Sequence, residues 1–199
     1  MTISQSMFEH PRGLAGLLGG MIMARFTRVR NEWMISLIDV QPGDHILEIG
    51  FGPGVLVGLL AERAADGVVE GVDVSALMLE QAGRRNRALI GSGRVRLREG
   101  SAVHLPFADN SFDKAVSSNS VQLWPDSLKG VMEMRRVLKP GGRIALVVQP
   151  VWAGSDRQVV EYGDWLIDLL KKSEFHEIEL KTRPMRPVAS LCVLGIKAE

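Results

Sequence analysis

Apolar and polar positions along the chain follow two periods. Short β-branched runs bounded by Gly, Pro, Asn and Asp occur at His45–Ile49, Val68–Val72, Val95–Leu97, Lys114–Ser117 and Ile144–Val148, and each reads as a strand. In the stretches Val55–Ala64, Ser75–Arg87, Leu128–Leu138 and Val159–Leu170, apolar residues return every three or four positions, which is the period of a helix face. Ser75 adds an N-cap in front of the second of these. Strands alternating with helices predict right-handed crossovers, a parallel sheet and helices on both of its faces. The C-terminal end departs from that rhythm. Glu177–Lys181 and Val188–Lys197 read as two more strands, and the proline-bearing link Thr182-Arg-Pro-Met-Arg-Pro187 has no room for a helix. Two strands joined so briefly are antiparallel neighbours. The expected fold is therefore α/β, a mainly parallel, mixed sheet in a three-layer α/β/α sandwich.

Length and composition narrow the functional classes. At 199 residues the chain has room for one domain with a large core. A single cysteine excludes an internal disulfide, and no Cys/His cluster offers ligands for a structural zinc, so no metal site is expected. With 24 basic and 23 acidic residues, the net charge of +1 gives no global attraction to a polyanion. The apolar run Gly13–Ala24 is too short to span a bilayer and lacks a cleavage signal, so a cytoplasmic protein is expected. That run precedes Arg25, Arg28 and Arg30, which would also suit a weak contact with a membrane surface.

The segment with chemical content is Glu48-Ile-Gly-Phe-Gly-Pro-Gly-Val55, which leaves the first strand and opens a helix. Gly50, Gly52 and Gly54 let the backbone turn sharply and approach a ligand, and the helix N-terminus supplies unpaired amides. Asp73 ends the second strand, where a carboxylate can accept both hydroxyls of a ribose. The ligand class is thus a nucleoside. The third glycine falls one residue early for a dinucleotide fingerprint, which weakens an NAD(P)-linked oxidoreductase without removing it, and the P-loop Gly-Lys-Ser/Thr is absent.

Here a resemblance becomes specific. E-x-G-x-G-x-G followed by a strand ending in Asp resembles the class I S-adenosylmethionine-dependent methyltransferases. Gly71-Val-Asp-Val-Ser-Ala-Leu-Met-Leu79, Glu99-Gly-Ser-Ala-Val-His-Leu-Pro-Phe107 with Asn110-Ser-Phe-Asp113, and Val137-Leu-Lys-Pro-Gly-Gly-Arg143 resemble further signatures of that family in the right order. The resemblance covers roughly residues 40–150. It implies a Rossmann-like, doubly wound seven-stranded sheet whose last strand is antiparallel. The implied cofactor is S-adenosylmethionine and the product S-adenosylhomocysteine. Carried over by position, Glu48 and the backbone of Gly50, Gly52 and Gly54 would line the methionine end, Asp73 the ribose, Val74 and Met78 one face of the adenine, and Ser101 and Ala102 its edge. Asn119 would lie near the methyl group. Ser101 is a departure, because the family often has Asp there. A neutral, shorter hydroxyl is the weaker acceptor. A scaffold that binds the cofactor without catalysis is the non-enzymatic alternative.

Methyl transfer from a sulfonium rests mainly on placing the acceptor in line, so the lack of an acid–base dyad does not count against it. The acceptor-side candidates are His10, Asn119, Gln122, Trp124 and Tyr162, with packing against Pro125 as the plain alternative for Trp124. No Asn-Pro-Pro-Tyr or Asp-Pro-Pro-Tyr follows the fourth strand, which disfavours methylation of DNA bases or of glutamine. Residues 1–40 are expected to form a helical lid over the 41–199 core, with Phe8, Leu14, Leu17, Leu18, Met21, Met23, Phe26 and Trp33 as its apolar material. Such a lid favours a small or amphipathic acceptor. Arg84, Arg85, Arg87, Arg94, Arg96 and Arg98 form a basic cluster, but no RNA-binding module or interleaved aromatics accompany it, so nucleic acid is disfavoured as a partner. Its plain reading is protection of a sheet edge.

Overall fold

A computed structural model describes residues 27–199. Helix α1 spans 27–38. Then come β1 (His45–Ile49), α2 (Val55–Arg63), β2 (Val68–Asp73), α3 (Ala76–Arg85), the short α4 (Arg87–Gly91), β3 (Val95–Glu99) and β4 (Phe112–Ser118). A 3₁₀ turn at Val121–Leu123 leads to α5 (Ser127–Val137), β5 (Leu138–Val148), α6 (Asp156–Lys172), β6 (Phe175–Arg183) and β7 (Ser190–Lys197). The seven strands lie in the order β3-β2-β1-β4-β5-β7-β6. Strands β1 to β5 run parallel, and β7 is antiparallel to both β5 and β6. The chain order reverses between β1 and β4, so a crevice opens at the carboxyl ends of those two strands, where open α/β sheets bind their ligands.

Each face of the sheet carries its own core. One holds α1, α2 and α3 through Met34, Ile38, Leu56, Leu60 and Ala82 against Ile46, Val69 and Val147. The other holds α5 and α6 through Val131, Met134, Leu166 and Leu170 against Leu47, Ile144 and Leu146. Helix α1 belongs to the first layer: Met34 is completely buried and Ile38 nearly so. Trp33, expected in the lid, is on this core helix, packed against the same cluster. His10 and the apolar residues Phe8 to Phe26 lie outside the described residues.

Two local expectations change. The turn Lys139-Pro-Gly-Gly142 expected before the fifth strand is part of β5, which pairs Leu138 with Phe112 and then shifts register before Arg143 meets Lys114. Gly141, at φ 73°, absorbs that irregularity. The arginine cluster is not one basic face. Arg94 reaches the carbonyls of Ala61 and Ala64 at the C-terminal end of α2, where a cation is favoured. Arg98 binds Glu70 at 2.7 Å and stacks on the Phe107 ring, Arg85 donates to the Pro53 carbonyl, and Arg84 pairs with Glu80. These charges are used in holding β3, the edge strand, and its neighbouring helices. Cys192 is buried in the β7 centre, and burial pushes its thiol up to about 12, so it is an inert core residue.

Candidate active site at the carboxyl ends of the strands

The glycine turn is built by three glycines with three different duties. Gly50, Gly52 and Gly54 all have positive φ, at 73°, 51° and 75°. A Cβ on Gly50 would come within 2.5 Å of the Ser120 Cβ, and one on Gly54 would meet Ala82 and Asn86 of the α3 region at 2.6 Å. Those two are required by the protein's own packing. A Cβ on Gly52 would meet nothing within 4 Å, so only there is the backbone bare toward open space. Gly54 is also the N-cap of α2 and brings no side-chain cap, which leaves first-turn amides for other acceptors.

Two carboxylates stand behind this turn. Asp73, at the end of β2, accepts from the Gly52 amide and the Ser75 amide, each at 2.9 Å. Each oxygen keeps lone-pair capacity for a further donor. Glu48, at the end of β1, is 2% exposed. It accepts from the Val57 amide in the first turn of α2, while its Oε2 has no partner. Burial first, then the Asp73 charge, holds the Glu48 carboxyl well above the usual carboxylate range. A cation or an N–H donor is the group this pocket lacks.

The remaining predicted residues divide. Val74 is 69% exposed beside the turn, and Met78 is half-buried over α3. Ser101 forms an isolated bridge with His104, and its hydroxyl receives only a long 3.4 Å contact from the Val103 amide. Ala102 points its side chain into the core, which leaves its backbone for any ligand. Asn119 has a left-handed φ of 53° and uses its side chain to accept from the Gln149 amide at 2.8 Å, tying the end of β4 to the end of β5. Gln122 donates to the Asn119 carbonyl at 3.1 Å; its Oε1 is buried and unpartnered. The Trp124 indole N–H donates to Ser120 Oγ at 2.7 Å, and its ring covers Gly130 so closely that no Cβ would fit there. These two contacts fit the packing alternative for Trp124. Tyr162, on α6, sits edge-on to Trp152 and tilted against Trp165, with centroids at 5.4 and 4.8 Å. Its hydroxyl is buried without a partner, and burial raises its pKa.

Sequence reasoning missed Ser120, whose hydroxyl abuts Gly50 and receives Trp124. A lone serine after a strand carries no motif. It also missed the first turns of α1. Asn31 is buried and accepts from Ser118 Oγ at 2.7 Å, and Arg30 beside it is 5% exposed. A separate cavity of about 330 Å³ lies at the opposite edge, lined by Arg135, Lys172, Ser173 and Lys197 among others. There Lys197 caps α5 through the Leu138 carbonyl at 2.6 Å, so that cavity is remote from the glycine turn and its cations are partly spent on helix ends.

A family profile described as a methyltransferase domain matches residues 47–146, from within β1 to within β5. The chain belongs to the class I S-adenosylmethionine-dependent methyltransferases. YdaC of Bacillus subtilis, an uncharacterized methyltransferase, is 34% identical across 91% of this chain and 98% of its own length. A demethylmenaquinone methyltransferase of Desulfitobacterium hafniense is 33% identical across 69% of this chain and 56% of its length. A solved putative S-adenosyl-L-methionine-dependent methyltransferase from Methanococcus maripaludis has the same fold at TM-score 0.74 and 20% identity, with 96% of this chain and 97% of that one aligned. The chain is therefore an enzyme that uses S-adenosylmethionine, and the oxidoreductase and scaffold alternatives give way. No helix among the described residues is long and apolar enough to cross a membrane.

Proposed function

We propose that this methyltransferase holds the nucleoside of its cofactor on Asp73 and the Gly52 backbone, its amino-acid end at Glu48, and a small amphipathic acceptor above the ends of β4 and β5. The bare backbone at Gly52 beside two carboxylates carries the first part. The cofactor supplies an activated methyl group on a sulfonium. The protein's contribution is orientation: the shared wiring of Asn119, Gln122 and Gln149 fixes the two strand ends that would carry the acceptor. Adenine would rest against Val74 and Met78, with Ser101 and the Ala102 backbone at its edge.

The acceptor class follows from the rim. Leu123, Val151 and Trp152 are exposed at 77%, 50% and 54% in the loops after β4 and β5. Unpartnered Gln122 Oε1 and Tyr162 hydroxyl groups lie in the same loops and on the adjoining helix. An apolar rim with one acceptor and one donor suits an amphipathic molecule bearing a hydroxyl, amine or carbonyl. The quinone chemistry in the names of relatives such as the demethylmenaquinone methyltransferase is of this kind. Helix α1 enters from this edge, because Asn31 contacts the end of β4 whereas residue 38 lies near the start of β1. The first residue of α1 therefore lies toward the rim, and we assign the residues before it the role of completing the acceptor pocket.

An acceptor screen that reads S-adenosylhomocysteine formation tests the assignment. Turnover is expected with amphipathic hydroxyl, amine or quinol compounds. Deleting residues 1–25 is expected to keep cofactor binding and abolish that turnover. Unchanged turnover in the truncated chain would remove the pocket role of the segment.

A further inference from the structure

The two edges of the sheet carry opposite charge patterns. Strand β3 closes one edge and β6 the other, and among the described residues each has a single neighbour, β2 and β7 respectively. An edge strand offers a row of unpaired N–H and C=O groups that can template a further strand. On β3, Arg96 and Arg98 share one face. An antiparallel β3–β3 pairing centred on Arg96, Leu97 or Arg98 sets arginine opposite arginine, so this edge repels its own copy.

Strand β6 has no such protection. Beyond the irregularity at Glu177, whose φ is 48°, it pairs regularly with β7 from Glu179 to Arg183. Leu180 turns toward α6, where a Cβ on Gly163 would meet it at 2.8 Å. Glu179 and Lys181 therefore share the other face, where both are exposed and hold each other at 2.6 Å. Reversed, this stretch is its own complement. An antiparallel pair centred on Leu180 puts Glu179 opposite the partner's Lys181, and Lys181 opposite the partner's Glu179. The two Leu180 side chains meet on the α6 face. Centring the pair on Glu179 or on Lys181 instead sets like charges opposite each other, which disfavours the slipped registers.

From this pattern we infer that β6 is an interface for a second copy of this chain, with two β6 strands pairing antiparallel about a two-fold axis at Leu180. Two seven-stranded sheets then run on as one. The inference does not depend on where the cofactor binds. Strands β5 and β7 separate β6 from β4, so the crevice stays open in each copy. Because β6 runs parallel to β5, the two crevices face opposite ends of the joined sheet.

The contact is short, so a dimer with a Kd on the order of 10 μM is expected. Sedimentation velocity of the full-length chain from about 1 to about 300 μM measures it, and the dimer should form across that range. Glu179→Lys and Lys181→Glu each set like charges opposite each other twice per dimer, and each is expected to weaken association by about tenfold or more. Both side chains are exposed, so circular dichroism should match the parent in each variant. Glu179→Lys combined with Lys181→Glu in one chain restores opposite pairs and should restore the dimer. An equimolar mixture of the two single variants should likewise form a mixed dimer at concentrations where each alone is a monomer. A chain that stays monomeric throughout the range, a dimer indifferent to both substitutions, or a mixture that does not associate overturns the inference.

Discussion

Gly52→Ala is expected to fold almost normally and to lose cofactor binding, whereas Gly50→Ala is expected to lose stability first. The contrast arises from what each Cβ meets. At Gly52 the new methyl has free space, and the cost is the left-handed φ of 51°, about 1–2 kcal/mol. That leaves most of a typical stability of about 5–15 kcal/mol. In the proposed bound state the same methyl would occupy the space over the bare backbone that the cofactor needs. A clash of about 3 kcal/mol weakens binding more than a hundredfold. At Gly50 the methyl is driven into Ser120, so overpacking adds about 1–3 kcal/mol to the dihedral cost. Urea midpoints and S-adenosylhomocysteine titrations on both variants check the contrast. Equal stability loss in the two, with binding retained in Gly52→Ala, would show that the open space at Gly52 is not where the cofactor sits.

Glu48→Gln is the second large effect, and its two readouts move in opposite directions. The ligand-free variant is expected to be the more stable protein at neutral pH. Glu48 has a folded pKa raised by burial and by Asp73. A raised carboxyl contributes its stability fully below the ordinary carboxylate range, and that contribution is lost as pH rises through the folded pKa. Glutamine keeps the acceptor for the Val57 amide and removes this loss. The stability gap between variant and parent should therefore open with increasing pH, reaching about 1 kcal/mol or more at neutrality. Affinity for S-adenosylhomocysteine should fall by about tenfold to hundredfold, the loss of one charged hydrogen bond. Thermal melts across pH, paired with titrations, measure both. A variant less stable than its parent at every pH would mean that the Glu48 carboxylate is a structural cap of α2 and nothing more.

Much of this architecture was legible because the chain is locally consistent. Strands β1, β2 and β4 stand close to their apolar runs, and the terminal β6–β7 pair follows from a link too short for a helix. Strand β5 begins before its apolar run because it includes Lys139-Pro-Gly-Gly142, whose composition is that of a turn. Pairing with Phe112 and a tolerant Gly141 carry the strand through it. In the sequence, the glycine-rich stretch ahead of helix α1 obscures where its periodic segment starts, so α1 reads as part of a lid. Only the packing of Met34 and Ile38 shows that 27–38 is a layer of the core. The glycine turn and Asp73 were legible as a motif. What each glycine meets is a tertiary matter, because Ser120, Ala82 and Asn86 are distant in sequence. The same holds for Trp124, a candidate by position whose contacts with Ser120 and Gly130 are tertiary, and for Arg30, which is buried with no carboxylate among the described residues against it.

The most direct test is calorimetric titration of the full-length chain with S-adenosylhomocysteine and, separately, with NADPH, in buffers of different ionisation enthalpy. Saturable binding is expected for S-adenosylhomocysteine alone, with a buffer-dependent heat as the incoming ammonium displaces the Glu48 carboxyl proton to the buffer. Absence of S-adenosylhomocysteine binding at millimolar concentration, or saturable binding of NADPH in its place, would contradict the account.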